Sequence, residues 1–324
     1  MSLDAHLLLE GPRGRRLLLE FAVLSEALAS HDVTTELPLW KSLFDHAVAT
    51  GTEKLVTGWG EDYIPRATTP EHLGRQLAVV RLVGARPTLL FDAMQRSVAS
   101  SRAGLTPEPI DALLDDWRLD GVLGRVAEHV VTTGRVGWWH KPTKRDDQWS
   151  VDVSSVKGGK GPGRHGADRV LAQERRHPGE GGWRSAPPSG LVVTSRRWPR
   201  RAPLDKIFRE DGRVATLAPR KVPMPRSLKV AEIHGAEDWA ALCRSHPVDV
   251  TRTHGAAWAE ATGRVVAWAM PDWASVAERY DAVHLSVAGY LSASGRAIPL
   301  DEQTSSMMTG WGPGQVVWLV DPPQ

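Results

Sequence analysis

The chain has 324 residues, 41% of them hydrophobic and 24% charged, and a formal net charge of +2. That is the ordinary globular range, long enough for two domains, and it excludes a disordered chain. One cysteine, Cys243, excludes an intramolecular disulfide and a cysteine-rich zinc site, and no stretch approaches the roughly 20 apolar residues of a membrane span.

In chain order, the N-terminus scatters Asp4, Glu10, Arg13, Arg15 and Arg16 around a short Leu7–Leu9 run. It lacks the ordered regions of a secretory signal, so a soluble cytoplasmic protein without a membrane partner is expected. Arg15–Leu28 carries an apolar helical face at Leu18, Leu19, Ala22, Val23 and Leu24. Thr69-Pro70-Glu71 combines a cap, a proline at the first helical position and an acid in the first turn, which opens a helix ending near Gly84. Pro87–Ser101 is a further helix. Thr106-Pro107-Glu108 repeats the start signal ahead of Ile110–Trp117 and Val122–Val131. Residues 1–134 therefore read as a helical domain.

From Gly137 the texture changes. Trp138-Trp139-His140 and Trp149–Ser154 read as strands, and residues 157–190 are rich in Gly, Pro and Arg, with a helical island over Ala167–Arg176. Residues 135–190 are thus expected to be a basic connector with short strands. From 191 onward, strands over Leu191–Thr194, Leu228–Ile233, Arg264–Met270, Ala282–Ala288 and Gln315–Val320 alternate irregularly with helices at Ala236–Ser245 and Pro271–Tyr280. Tidy βαβ units are missing, so the expected class is α+β: an N-terminal helical part followed by a mixed α+β domain over 191–324.

The small net charge hides a segregation. Residues 135–230 hold 22 Lys/Arg against 9 Asp/Glu, a balance of +13, between flanks of −5 and −6. A basic face attracts polyanions and gains from counterion release on nucleic acid. The same charges could instead face the acidic flanks or lie solvated. The 14 Trp, against 4 Phe and 3 Tyr, suit either core packing or stacking on bases.

Gly161-Pro162-Gly163-Arg164-His165-Gly166 matches a dinucleotide fingerprint, but in glycine-swamped surroundings and without an acid about 20 residues on in a suitable setting. Phosphate-loop, zincin and nucleophile-elbow motifs are absent, and the 12 His are scattered without the spacing of a metal clamp. Neither cofactor nor metal is expected. In Asp281–Ser286, strand alternation puts His284 and Ser286 on one face, while Asp281 has the opposite parity and reaches His284 only through a bend at the strand start. His284 with Asp281 is the candidate acid–base pair; a half-buried structural histidine is the plainer alternative. Arg196 and Arg197, next to Thr194 and Ser195, and Arg252, between Thr251 and Thr253, pair guanidinium with hydroxyls at expected strand ends, a combination suited to phosphate. Arg200 and Arg201 extend the first group, and Trp198 or Trp258 could stack a base.

The runs Ile233–Trp239, Pro271–Trp273, Asp281–Leu285, Gly289–Leu291, Gly310–Pro313 and Trp318-Leu319 resemble a group of uncharacterised actinobacterial proteins over the final third of the chain. That resemblance implies no activity and no catalytic residues.

Three readings stay open. A binding protein contacts nucleic acid, or another phosphate-bearing partner, through Arg196, Arg197, Arg200 and Arg201. A nucleotide- or NAD-handling transferase or hydrolase has its pocket in the C-terminal domain, with His284 on protons and Arg196 or Arg252 on phosphate. An interaction module without chemistry offers its tryptophans to a protein partner. Convergence of Arg196, Arg252, Asp281 and His284 on one concave site would favour the second.

Overall fold

The computed structural model describes residues 3–30, 37–53, 63–100, 108–151, 166–179, 182–198, 204 and 219–323, with the side chain of residue 151 left aside. The chain divides into two compact units, one formed by residues 1–100 and 107–137, the other by 101–106 and 138–324.

The first unit is helical, as its periodicity implies: α1 (Pro12–Ala29), α2 (Pro38–Ala49), α3 (Pro70–Val79), α4 (Pro87–Ala99), α5 (Pro109–Leu114) and α6 (Asp120–Thr132). Helices α1 to α5 each open on proline, whose fixed φ suits the first turn and whose missing N–H costs nothing there. Thr69 accepts the amide of His72 at 3.2 Å, the cap its sequence announces. Helix α1 buries Leu17, Leu18, Phe21 and Ala22 and packs on α4 and α6. Beside that core, Arg16 reaches Glu20 (2.9 Å), Glu108 (2.9 Å) and Asp111 (3.3 Å), and Arg13 lies 3.6 Å from Asp111. Burial lowers the proton affinity of Arg16, and its three carboxylates more than restore it.

The second unit is α+β. A six-stranded sheet runs in the order β3 (Pro219–Lys221), β1 (Trp149–Val151), β2 (Val193–Ser195), β10 (Gln315–Trp318), β7 (Ala282–Leu285), β4 (Val230–Ile233). All neighbours are antiparallel except β4 and β7, which are parallel. A four-stranded sheet has the order β5 (Pro247–Asp249), β6 (Ala267–Pro271), β9 (Thr304–Met307), β8 (Ala297–Pro299). Among the described residues the helices α7 (Ala167–Arg176), α8 (Ala236–Ser245), α9 (Thr251–Thr262), α10 (Trp273–Ala277) and α11 (Val287–Ala293) accompany them. Helix α8 touches strands of both sheets, and its Trp239 donates to Ser306 Oγ of β9 at 2.9 Å.

Tryptophan fills much of this core. Trp139, Trp239, Trp258, Trp268, Trp273, Trp311 and Trp318 are all fully buried. Trp239, Trp273 and Trp311 meet edge-on or tilted at 5.9–6.3 Å, the geometry that aromatic quadrupoles favour.

Several expectations change. The segment 135–190 is no connector in its described parts: Trp149–Val151 is built into the large sheet and α7 packs on α10, so both belong to the second unit. Trp138-Trp139-His140 is a turn. The strand expected to run to Ala288 ends at Leu285, because Ser286 Oγ accepts the amide of Gly289 at 3.0 Å and caps α11. Pro271 closes β6 instead of opening a helix, and Asp272 caps α10 by accepting the amides of Ala274 and Ser275. Thr251–His254 is the first turn of α9, so it lies at a helix start and not at a strand end. Gly161–His165 of the dinucleotide-like run, with Arg200 and Arg201, falls outside the described residues.

Candidate active site

The site grows from the one parallel pairing of the large sheet. Register sets Glu232 of β4 directly beside His284 of β7, and the period of two points both side chains to one face. Gly289 of α11 sits against the chain just after Glu232. A Cβ there would lie 2.6 Å from the Ile233 carbonyl oxygen and 3.0 Å from the His234 carbonyl carbon, so only glycine lets α11 rest on the end of β4.

Glu232 Oε2 accepts from His284 Nδ1 at 2.6 Å, and Oε1 accepts the backbone amide of Thr143 at 3.0 Å. Burial alone would raise the Glu232 carboxyl. The hydrogen bond and charge of His284, joined by Thr143, outweigh it and hold the group below its ordinary value of 4.5. The carboxylate therefore keeps the Nδ1 proton, and any proton His284 exchanges with its surroundings passes through Nε2. His234, just past the end of β4, brings Nε2 to 3.9 Å from the same Oε2. Among the described residues no group of three His, Cys, Asp or Glu side chains is placed to hold a metal.

His284 lines a narrow cleft with Trp138, Trp139, Lys141, Lys144 and Arg196. Ser286 and Gly314 line it too, so the two residues expected on one face do meet the same space, although no hydrogen bond joins Ser286 to His284. Its enclosed part holds about 10 Å³, roughly the room of one water-sized group, and the rest opens to solvent. The loop that forms one wall is fastened from below. Trp318 Nε1 donates to Thr194 Oγ1 (2.9 Å), Thr194 donates to Gln148 Oε1 (2.8 Å), and Gln148 Nε2 donates to the Lys144 carbonyl (3.0 Å).

Arg196 follows β2 and lays its guanidinium 4.1 Å from the ring centre of Trp138. Trp139 and Trp198 stand edge-on to that ring at 6.4 and 5.5 Å. Burial lowers the proton affinity of Arg196, with partial compensation from the charges of Asp147 and Asp146. Its Nε is buried and finds no acceptor among the described residues, and the indole N–H of Trp139 is buried in the same condition. Trp239, Trp258, Trp273 and Trp318 each donate to a partner, whereas the buried indole N–H of Trp311, away from the cleft, is also without an acceptor among the described residues.

The remaining candidates lie elsewhere. Asp281 does not orient His284; its Oδ2 accepts the amide of Lys229 at 2.7 Å and ties the start of β7 to β4. Arg252 is exposed on α9 and does not reach the cleft. Its neighbour His254 is fully buried between Thr253 Oγ1 (2.9 Å) and the Arg184 carbonyl (3.3 Å), and burial lowers its proton affinity. Arg197 sits over Trp149 at 4.4 Å and pairs with Asp147 at 3.6 Å. Trp198 and Trp258 are 2% and 0% exposed, which leaves no face for a base to stack on.

Sequence reasoning missed Glu232, Thr143, Trp138, Trp139, Lys141 and Lys144. Glu232 left one signal: an acid at the parity of His234 inside the apolar stretch Val230–Ile233. No protein-family model matches the chain, and no curated protein or solved structure matches it either.

Proposed function

We propose that the second unit is an acid–base enzyme that holds a small anionic substrate against Arg196 and moves a proton through His284 Nε2. One observation carries this: a buried histidine oriented by a half-buried carboxylate opens on the same cleft as a stacked arginine that has no carboxylate in contact. Of the three readings drawn from the sequence, this supports the transferase or hydrolase with its pocket in the C-terminal domain. The nucleic-acid reading needs an open stripe of arginines, and here Arg196 turns inward while Arg197 is paired with Asp147.

With Nδ1–H held by Glu232, neutral His284 presents a lone pair at Nε2 and serves as a base toward a water or hydroxyl placed beside the anion. The imidazolium that results is stabilised by the same carboxylate and can return its proton to a leaving group. Such a group contributes about 10²–10⁴ in rate. Lys141 and Lys144, both exposed at the rim, supply attraction at longer range.

The test is calorimetric titration of the full chain with nucleoside phosphates, NAD and simple carboxylic acids, followed by turnover assays on whatever binds. His284→Ala should keep binding and lose turnover; Arg196→Ala should lose binding. If duplex DNA or RNA binds with a steep salt dependence while no small anion binds, the nucleic-acid reading replaces this one.

A further inference from the structure

We infer that the anion this cleft takes is a terminal phosphate monoester, and neither a phosphodiester nor a carboxylate. The inference rests on the anion-binding reading above and narrows it by charge, donor count and space.

Three full positive charges, from Arg196, Lys141 and Lys144, border one small cleft, and none of these side chains forms an ion pair among the described residues. Of the nearby acids, Asp147 accepts from Trp149 Nε1 at 2.8 Å and pairs with Arg197, and Glu232 is spent on His284 and Thr143, while Asp146 and Asp147 reach Arg196 through charge alone and form no ion pair with it. The excess charge suits a dianion better than a monoanion.

The donors agree. Arg196 Nε and Trp139 Nε1 are buried without acceptors, and Trp139 is 1% exposed. A buried donor left unpaired is costly, so a ligand with several acceptor oxygens gains from meeting both. A monoester carries nearly two charges and three terminal oxygens; a carboxylate carries one charge and two oxygens. A diester has one charge and must lead chain away on two sides. A narrow cleft walled by Trp138, Trp139, Lys141, Lys144 and Arg196 suits the end of a molecule better than its middle. Such a cleft favours a phosphate at the end of a small organic molecule over the backbone of nucleic acid or the internal pyrophosphate of a dinucleotide.

The experiment titrates the full-length protein with phenyl phosphate, dimethyl phosphate and acetate at pH 8 and fixed ionic strength, by calorimetry. Phenyl phosphate should bind, with dimethyl phosphate and acetate at least tenfold weaker. Arg196→Met should weaken phenyl phosphate tenfold or more. Because that variant alters a packed Trp138 contact, the rim double variant Lys141→Ala/Lys144→Ala provides a second arm with little risk to folding and should also weaken it. Dimethyl phosphate or acetate binding within tenfold of phenyl phosphate overturns the monoester assignment and leaves the anion cleft standing. No binding of any of the three overturns both. Unchanged phenyl phosphate affinity in both variants moves the site elsewhere and overturns the inference as well.

Discussion

Replacing Glu232 by Gln tests the centre of the site and has a sign that pH reveals. Glutamine keeps an oxygen for the Thr143 amide but turns an N–H₂ toward His284, so Nδ1 must accept and the ring proton moves to Nε2. The neutral imidazole is then the wrong tautomer for a base, and turnover should fall by the general-base factor of about 10²–10⁴. Stability should fall less. A charge-assisted hydrogen bond at 2.6 Å is worth about 1.5–3 kcal/mol and its neutral replacement about 0.5–1.5, a difference of about 1 kcal/mol. In a unit of this size that lowers Tm by about 2–4 °C. The pH dependence follows from linkage. The folded-state carboxyl is held below 4.5, so its contribution is present above the unfolded value and is lost as pH falls through the lower, folded one. Thermal melts of both proteins from pH 7 down to pH 3 should therefore converge at the acid end. A gap that stays constant to pH 3, or a variant more stable than wild type at pH 7, would refute the reasoning.

Gly289→Ala should cost about 1–3 kcal/mol in urea denaturation, because its Cβ would meet the backbone of Ile233 and His234 and neither can retreat. Cys243 is buried beside Ser306 with its thiol pushed up to about 12 by burial, so iodoacetamide at pH 8 should leave the folded protein unmodified and label it in denaturant. In the first unit, Asp111→Ala removes a buried carboxylate shared by two partly buried arginines and should destabilise by about 2–3 kcal/mol, less than a fully orphaned pair because Glu20 and Glu108 stay on Arg16.

What the sequence made legible follows from the range of each signal. Helix starts are local: Thr69-Pro70 and the proline at Pro87 announce α3 and α4 within a few residues. Strand parity is local too, and it placed His284 and Ser286 toward the same space. Pairing between strands is not local. Glu232 and His284 are 52 residues apart, and nothing near either names the other, so Asp281 stood in for the carboxylate on proximity alone. Arg196 and Arg252 looked alike in composition; only the sheet separates a cleft residue from an exposed position on α9. Trp198 and Trp258 show the limit of composition, since an indole that stacks a base and one that fills a core are spelled the same way.

The dyad's placement by strand register has a consequence for variation. A pair of groups set by neighbouring positions in a parallel ladder inherits its spacing from the backbone repeat, and rotamer choice only refines it. The intervening stretch, which carries two strands of the smaller sheet and helices α8 to α10, is free to lengthen, shorten or change composition while the chemistry stays in place. A slip of one position along β4 is another matter. It would carry the carboxylate through to the opposite side of the sheet and leave the imidazole beside Ala231 or Ile233. The protein tolerates drift in sequence distance and is intolerant of a single step in alignment.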